Sequence, residues 1–233
     1  MQKATLLAGL HHAPGDPVFL EALGSILETD EAWDEILEIF NNQLSSLPVD
    51  SPIEAYVKYM MGKARVELGQ IAEAQIMLER SAQIKPDFPY THHLLARCYL
   101  DSGRLQESLS AFQHCTILAP GFPWSWLGQG EVEILMGQPI QAMNSLKQGL
   151  SYQQKQGGHT QPFIDAILKA KTMLSTQHKR NLAAELWPSR TPLADDQRLD
   201  PRDEMELSLY RLKWIVDRIE TDQDNNLGSD LIK

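Results

Sequence analysis

The 233-residue sequence predicts an all-α fold, a solenoid of antiparallel helix pairs closed by capping helices. The first observation behind this is a 34-residue interval. It is kept by Pro86 and Pro120, by Gly69, Gly103 and Gly137, by Gly62, Ala96 and Gly130, by Ala74, Ser108 and Ala142, and by Leu78, Phe112 and Leu146. Columns in register define a repeated unit, and such units bury their apolar faces by stacking on their neighbours. The second observation is that both halves of each unit carry apolar residues at helical spacing. The third is that no stretch alternates in the manner of a strand.

Residues 2–14 read as a half-repeat, a lone helix capping the first full unit. Residues 17–50 form that unit, VFLEALGSIL followed by EAWDEILEIFNNQLSSLP, with Gly24 and Phe40 in the small and aromatic columns. Pro14 and Pro48 keep the 34-residue interval, whereas Pro48 and Pro86 lie 38 apart, which places a four-residue insertion in the turn near VDSPIE. In unit 55–88 the first helix ends at Gly69, because glycine tolerates the left-handed conformation common just past a helix. The second helix ends before KPDFP, where proline offers no N–H to continue it. Units 89–122 and 123–156 repeat this plan, the last with Gln154 where proline would close it. Gly62 and Gly130 sit in mid-helix at a cost of about 1 kcal/mol each relative to alanine, so a neighbouring helix is expected to approach closely there.

Residues 161–186, with Phe163, Ile167, Ala170 and Leu174 in helical period, are expected to cap the open end, so that the solenoid spans 1–186. A proline-punctuated connection follows at 187–201. An amphipathic helix at 202–221 places Met205, Leu209, Leu212, Val216 and Ile219 on one stripe. That stripe is too apolar to be left in water, so it is expected to dock on its own solenoid, on a second copy as a homodimer, or on a partner. Residues 222–233 have no apolar period and are expected to be a flexible tail.

The units resemble the tetratricopeptide repeat, whose pattern has a Trp, a Leu-Gly pair, a Tyr, then a small residue, an aromatic and a closing Pro. Unit 89–122 matches with Leu95, Ala96, Tyr99, Gly103, Phe112 and Pro120, and unit 123–156 with Trp126, Gly130, Gly137 and Ala142. The resemblance implies a right-handed superhelix whose first helices line the concave side. Carried over by position, it puts Tyr56, Tyr90 and Trp124 in one column near the starts of those helices. Tyr59, His93 and Leu127 come one turn on, and Lys63, Arg97 and Glu131 beyond them; the first unit offers Val18, Glu21 and Ser25 instead. Tyr56, Tyr59, Lys63, Tyr90, His93, Arg97, Trp124 and Leu127 are thus the candidate partner-binding groove. Rings would supply contact area to a peptide or protein, and the bases would select acidic groups. The alternative is that the aromatics pack against the preceding turn. Family members that clamp the C-terminal carboxylate of heat-shock chaperones use Lys, Asn and Arg where this sequence has Tyr59, Leu94, Trp124 and Gly128. Only Lys63 keeps a base nearby, so a chaperone tail is not the expected ligand.

The formal charge of −10 and pI near 5.1 argue against a nucleic-acid partner, since phosphate neutralisation needs clustered Lys and Arg. Residues 1–50 carry nine acids against one base, 51–194 eleven against fourteen, and 195–233 eleven against six, leaving a mildly basic middle between acidic ends. No run reaches the roughly 18 to 20 apolar residues that span a bilayer, so no membrane is expected. ATLLAGLHHAPGD reads as helix rather than signal peptide, and two cysteines, Cys98 and Cys115, fit a reducing compartment and core packing; the expected location is cytoplasmic. His11 and His12 before Asp16, and His92 and His93 before Cys98, have ligating side chains. Adjacent helical residues point about 100° apart, however, so each pair offers one ligand to any one site, and no metal or other cofactor is expected. No phosphate loop or nucleophile elbow is present, and Asp195 and Asp196 read as a solvated turn. The expected function is therefore a non-catalytic protein-interaction scaffold. The alternative is an accessory subunit or detached repeat domain of a glycosyltransferase- or sulfotransferase-type enzyme. The charge pattern also allows an autoinhibited form, with the acidic terminal helix over a mildly basic groove.

Overall fold

The computed structural model describes residues 2–186, with side chains over 3–177. The connection at 187–201, the helix at 202–221 with Met205, Leu209, Leu212, Val216 and Ile219, and the tail at 222–233 lie outside the described residues. Residues 1–170 form one compact unit and 171–233 a second. The described residues hold ten α-helices: α1 Gln2–His12, α2 Pro17–Thr29, α3 Trp33–Gln43, α4 Pro52–Glu67, α5 Ile71–Ile84, α6 Pro89–Asp101, α7 Leu105–Leu118, α8 Pro123–Leu135, α9 Pro139–Lys155 and α10 Gln161–Leu186. Among these residues there is no strand.

Within the first unit the helices pack as consecutive pairs, α4 on α5, α6 on α7 and α8 on α9, and each pair is joined to the next through α5 on α6 and α7 on α8. The first helices of successive pairs also touch, α2 with α4, α4 with α6 and α6 with α8. No two second helices among the described residues approach comparably. The row of first helices is therefore the inner face of the curve.

The bend inside each pair is the same construction three times. Gly69, Gly103 and Gly137 have φ of 74°, 72° and 76°. Behind them the N–H groups of Gln70, Arg104 and Gln138 each reach back to the carbonyls of Arg65, Tyr99 and Glu133 at 2.8 Å, the six-to-one bond that closes a helix on a left-handed residue. In the first pair Glu31 takes that position at φ 52°, and Ala32 N–H bonds to the Leu27 carbonyl at 2.9 Å. An acidic side chain stands there where the later repeats use glycine, a substitution that costs roughly 1–2 kcal/mol of backbone strain.

Close packing explains the small mid-helix column. A Cβ on Gly62 would lie 2.6 Å from Leu78 Cγ, and one on Gly130 2.5 Å from Leu146 Cγ, so each glycine leaves room for a branched side chain of its own pair. In the middle pair the column holds Ala96, which clusters with Phe112. The Phe112 ring runs on to Gly128 of α8, where a Cβ would meet Cζ at 2.3 Å.

Two boundaries depart from strict repetition. The four-residue surplus expected in the turn near VDSPIE is divided: α4 begins at Pro52, ahead of the 34-residue register set by Pro89 and Pro123, and takes up most of it as helix. Ser51 caps this extra turn by accepting from Glu54 N–H at 3.2 Å, while Glu54 reaches back to Asp50 N–H at 2.8 Å. At the other end α9 runs to Lys155, longer than α5 or α7, because Gln154 replaces the closing proline; Gly157 at φ 68° follows its end.

Candidate functional site

The inner face opens into a cavity of about 740 Å³ bordered by α4, α6 and α8. Seven of the eight residues expected in the groove line it: Tyr59, Lys63, Tyr90, His93, Arg97, Trp124 and Leu127. Tyr56 does not. Its hydroxyl occupies the space left by Gly24, 2.4 Å from where a Cβ would stand, and its ring packs on Phe40 at 6.4 Å between centroids. Burial, with Glu21 and Glu28 nearby, pushes the Tyr56 phenol up to about 12. Of the two fates open to this column, Tyr56 packs against the preceding pair, while Tyr90 and Trp124 remain 44% and 40% exposed.

The site also contains two rings that the sequence reading passed over, Phe88 and Phe122. Each precedes the proline that opens a first helix, and proline drives the residue before it out of the α region, to φ −90° and −95° with extended ψ. Phe88 stands edge-on to Tyr59 at 4.9 Å and to Tyr90 at 5.7 Å, and Phe122 edge-on to Tyr90 at 5.2 Å and to His93 at 5.0 Å. His93 continues onto Phe112 at 5.6 Å. The result is an unbroken chain of edge-to-face rings, a geometry favoured by the ring quadrupole. The signal was present in the sequence as Phe-Pro-Tyr and Phe-Pro-Trp one repeat apart.

His93 is held neutral. Burial, reinforced by Arg97 and Lys63, brings its imidazole down to about 4, and Nδ1 lies 2.9 Å from Ser125 Oγ on α8. Its sequence neighbour His92 faces away and bonds to the Pro86 carbonyl at 2.6 Å, as Trp126 in the same column does to Pro120 at 2.8 Å. The adjacent histidines thus diverge as helical geometry requires. Among the described residues no three His, Cys, Asp or Glu side chains gather where they could hold a metal ion, and no helix is long and apolar enough to cross a membrane.

The electrostatics differ from the expectation that bases would dominate. Lys63 is ion-paired with Glu28 of the preceding pair, and Arg97 with Glu67 at 3.5 Å. The lining adds Asp101 and Glu131, so acids outnumber bases around the cavity. The excess of Lys and Arg in the middle of the sequence does not make the groove basic, because the bases that line it are answered by carboxylates from the preceding repeat. Burial pushes the Tyr59 phenol up, with Glu28 adding to the effect, and pushes the Glu131 carboxyl up against the pull of Lys169.

Stacked helix pairs with equivalent bends and a concave face of first helices define a helical-repeat solenoid. Residues 55–88 and 89–122 match the tetratricopeptide repeat, the family model covering these two units of the chain. Its fold is similar to that of MamA 41-end from Desulfovibrio magneticus RS-1, with a TM-score of 0.55 at 18% identity over 66% of this chain and 85% of that one. It is also similar to YrrB, described as a tetratricopeptide-repeat protein with an unusual peptide-binding site, with a TM-score of 0.55 at 19% identity over 70% of this chain and 80% of that one. A third likeness is to the first repeat domain of Spaghetti (RPAP3) bound to the HSP90 peptide SRMEEVD, with a TM-score of 0.51 at 14% identity over 54% and 96%. No curated protein matches the chain in sequence.

Proposed function

We propose that the protein is a non-catalytic interaction scaffold that holds a peptide or an extended protein segment in the groove formed by α4, α6 and α8. The observation that carries this reading is the run of rings Tyr59, Phe88, Tyr90 and Phe122, with Trp124 lining the same cavity. Tyr90 and Trp124 stand exposed on a concave surface whose lining also includes Tyr59 and Phe122. Such rigid, partly desolvated aromatics supply most of the affinity in recognition sites, because they bring contact area at small cost in side-chain entropy. The peptide-binding site described for YrrB and the HSP90 peptide bound to the Spaghetti repeat domain support the same kind of use here.

The test is selection of peptides from a displayed random library on the wild type, followed by measurement of the selected peptides on Tyr90→Ala/Trp124→Ala. Both side chains are exposed, so the variant should melt within a few degrees of wild type while the affinity falls at least about tenfold. Selected peptides that bind the folded double variant as tightly as wild type would remove the groove from the account.

A further inference from the structure

We infer that the groove selects basic segments, with an arginine or lysine side chain laid on the Tyr90 and Trp124 rings and its charge met by Asp101 and Glu131. This rests on the groove being the binding face and adds the chemistry of the occupant.

Charge is the first ground. On the inner face Lys63 and Arg97 are each spent on a carboxylate of the neighbouring pair, Glu28 and Glu67. Asp101 and Glu131 line the same cavity and are in no ion pair among the described residues. Lys169 of α10 acts on Glu131 without closing to an ion pair. An incoming carboxylate would have to break an existing bridge, whereas an incoming cation meets carboxylates already in place.

Position supplies the second ground. Asp101 lies at the end of α6 and Glu131 two turns along α8, both bordering the cavity whose walls carry Tyr90 and Trp124. Guanidinium and ammonium groups favour the faces of such rings, and a desolvated carboxylate nearby strengthens the attraction. Burial raises the Glu131 carboxyl, and a cation placed beside it acts in the opposite sense by favouring the charged form. Toward the N-terminal end Glu21 adds a carboxylate near Tyr56, so a longer basic segment meets a further acid along the row.

Fluorescence anisotropy on the full chain tests this with two labelled probes, a short peptide alternating arginine and alanine and the acidic peptide SRMEEVD. Asp101→Asn/Glu131→Gln removes the two groove charges, and Glu38→Gln/Glu73→Gln removes two exposed carboxylates elsewhere. The basic probe should bind, weaken about tenfold on the groove variant and bind the control variant as it binds wild type, with SRMEEVD the weaker ligand throughout. Equal weakening on both variants would reduce the binding to net charge and overturn the inference. So would absence of basic-probe binding at low salt. Tighter binding of SRMEEVD that is lost in Tyr90→Ala/Trp124→Ala would overturn the choice of charge and leave the groove standing. Basic-probe binding unmoved by both groove variants would remove charge selection and groove together.

Discussion

His93 Nδ1 on α6 lies 2.9 Å from Ser125 Oγ on α8, and the Ser125 hydroxyl donates onward to Cys115 Sγ on α7 at 2.9 Å. With the hydroxyl proton committed to sulfur, the imidazole donates from Nδ1, and the bond ties two successive first helices together beneath the aromatic wall.

The neutral state of His93 makes stability depend on pH. Its folded value of about 4 lies below the ordinary 6.5, so between those limits the unfolded chain binds more protons than the folded one. Stability should therefore fall as pH drops from 6.5 towards 4, by roughly 3 kcal/mol in total from this group. Proton NMR should show the His93 ring unshifted between pH 8 and 5.5. The difference in urea midpoint between pH 7 and pH 5 should shrink in His93→Gln, and an imidazole titrating near 6.5 would contradict the assignment.

Gly128→Ala should destabilise the chain by about 1–3 kcal/mol, because its Cβ would sit against a buried ring that has no free direction to move. The contact is with Phe112 Cζ, 2.3 Å from the ideal Cβ position. Urea unfolding checks this, and Phe112→Leu in the same chain should return part of the loss, as Leu78 and Leu146 show that leucine fits the column. Additive losses in the double variant would show that the two positions do not share the space.

Glu31→Gly should stabilise by about 0.5–1 kcal/mol, since it relieves a left-handed backbone at some cost in unfolded-state entropy. The melting temperature is the readout, and a lower value would mean that the Glu31 side chain makes a contact worth more than the strain.

Cys98 and Cys115 should be inert in the native state. Burial pushes the Cys98 thiol up to about 11 and the Cys115 thiol up as well, and only the thiolate reacts. A chromogenic disulfide reagent at pH 8 should label neither until denaturant is added. Fast labelling of either in the folded chain would count against their burial.

The repeat was legible because its markers are chemical necessities: glycine at left-handed bends, proline at helix starts, small residues where helices touch. What stayed hidden depended on partners distant in sequence. Tyr56 and Tyr90 share a column, yet the slot over Gly24 admits the Tyr56 hydroxyl while the equivalent slot over Gly62 is filled by Leu78, leaving Tyr90 in the groove. Glu31 gave no sign of a bend because it is not glycine. Lys63 and Arg97 looked like free bases because nothing local reveals that Glu28 and Glu67 face them one repeat back. Phe88 and Phe122 were passed over as parts of turns, although proline fixes the extended backbone that brings them into the wall.

The central claim is that the row of first helices is the recognition surface. Hydrogen–deuterium exchange with and without a library-selected peptide tests it most directly. The account predicts added protection in α4, α6 and α8, centred on the segments holding Tyr59, Tyr90 and Trp124, with α5, α7 and α9 unchanged. Protection confined to α5, α7 and α9 would place recognition on the outer face and contradict it.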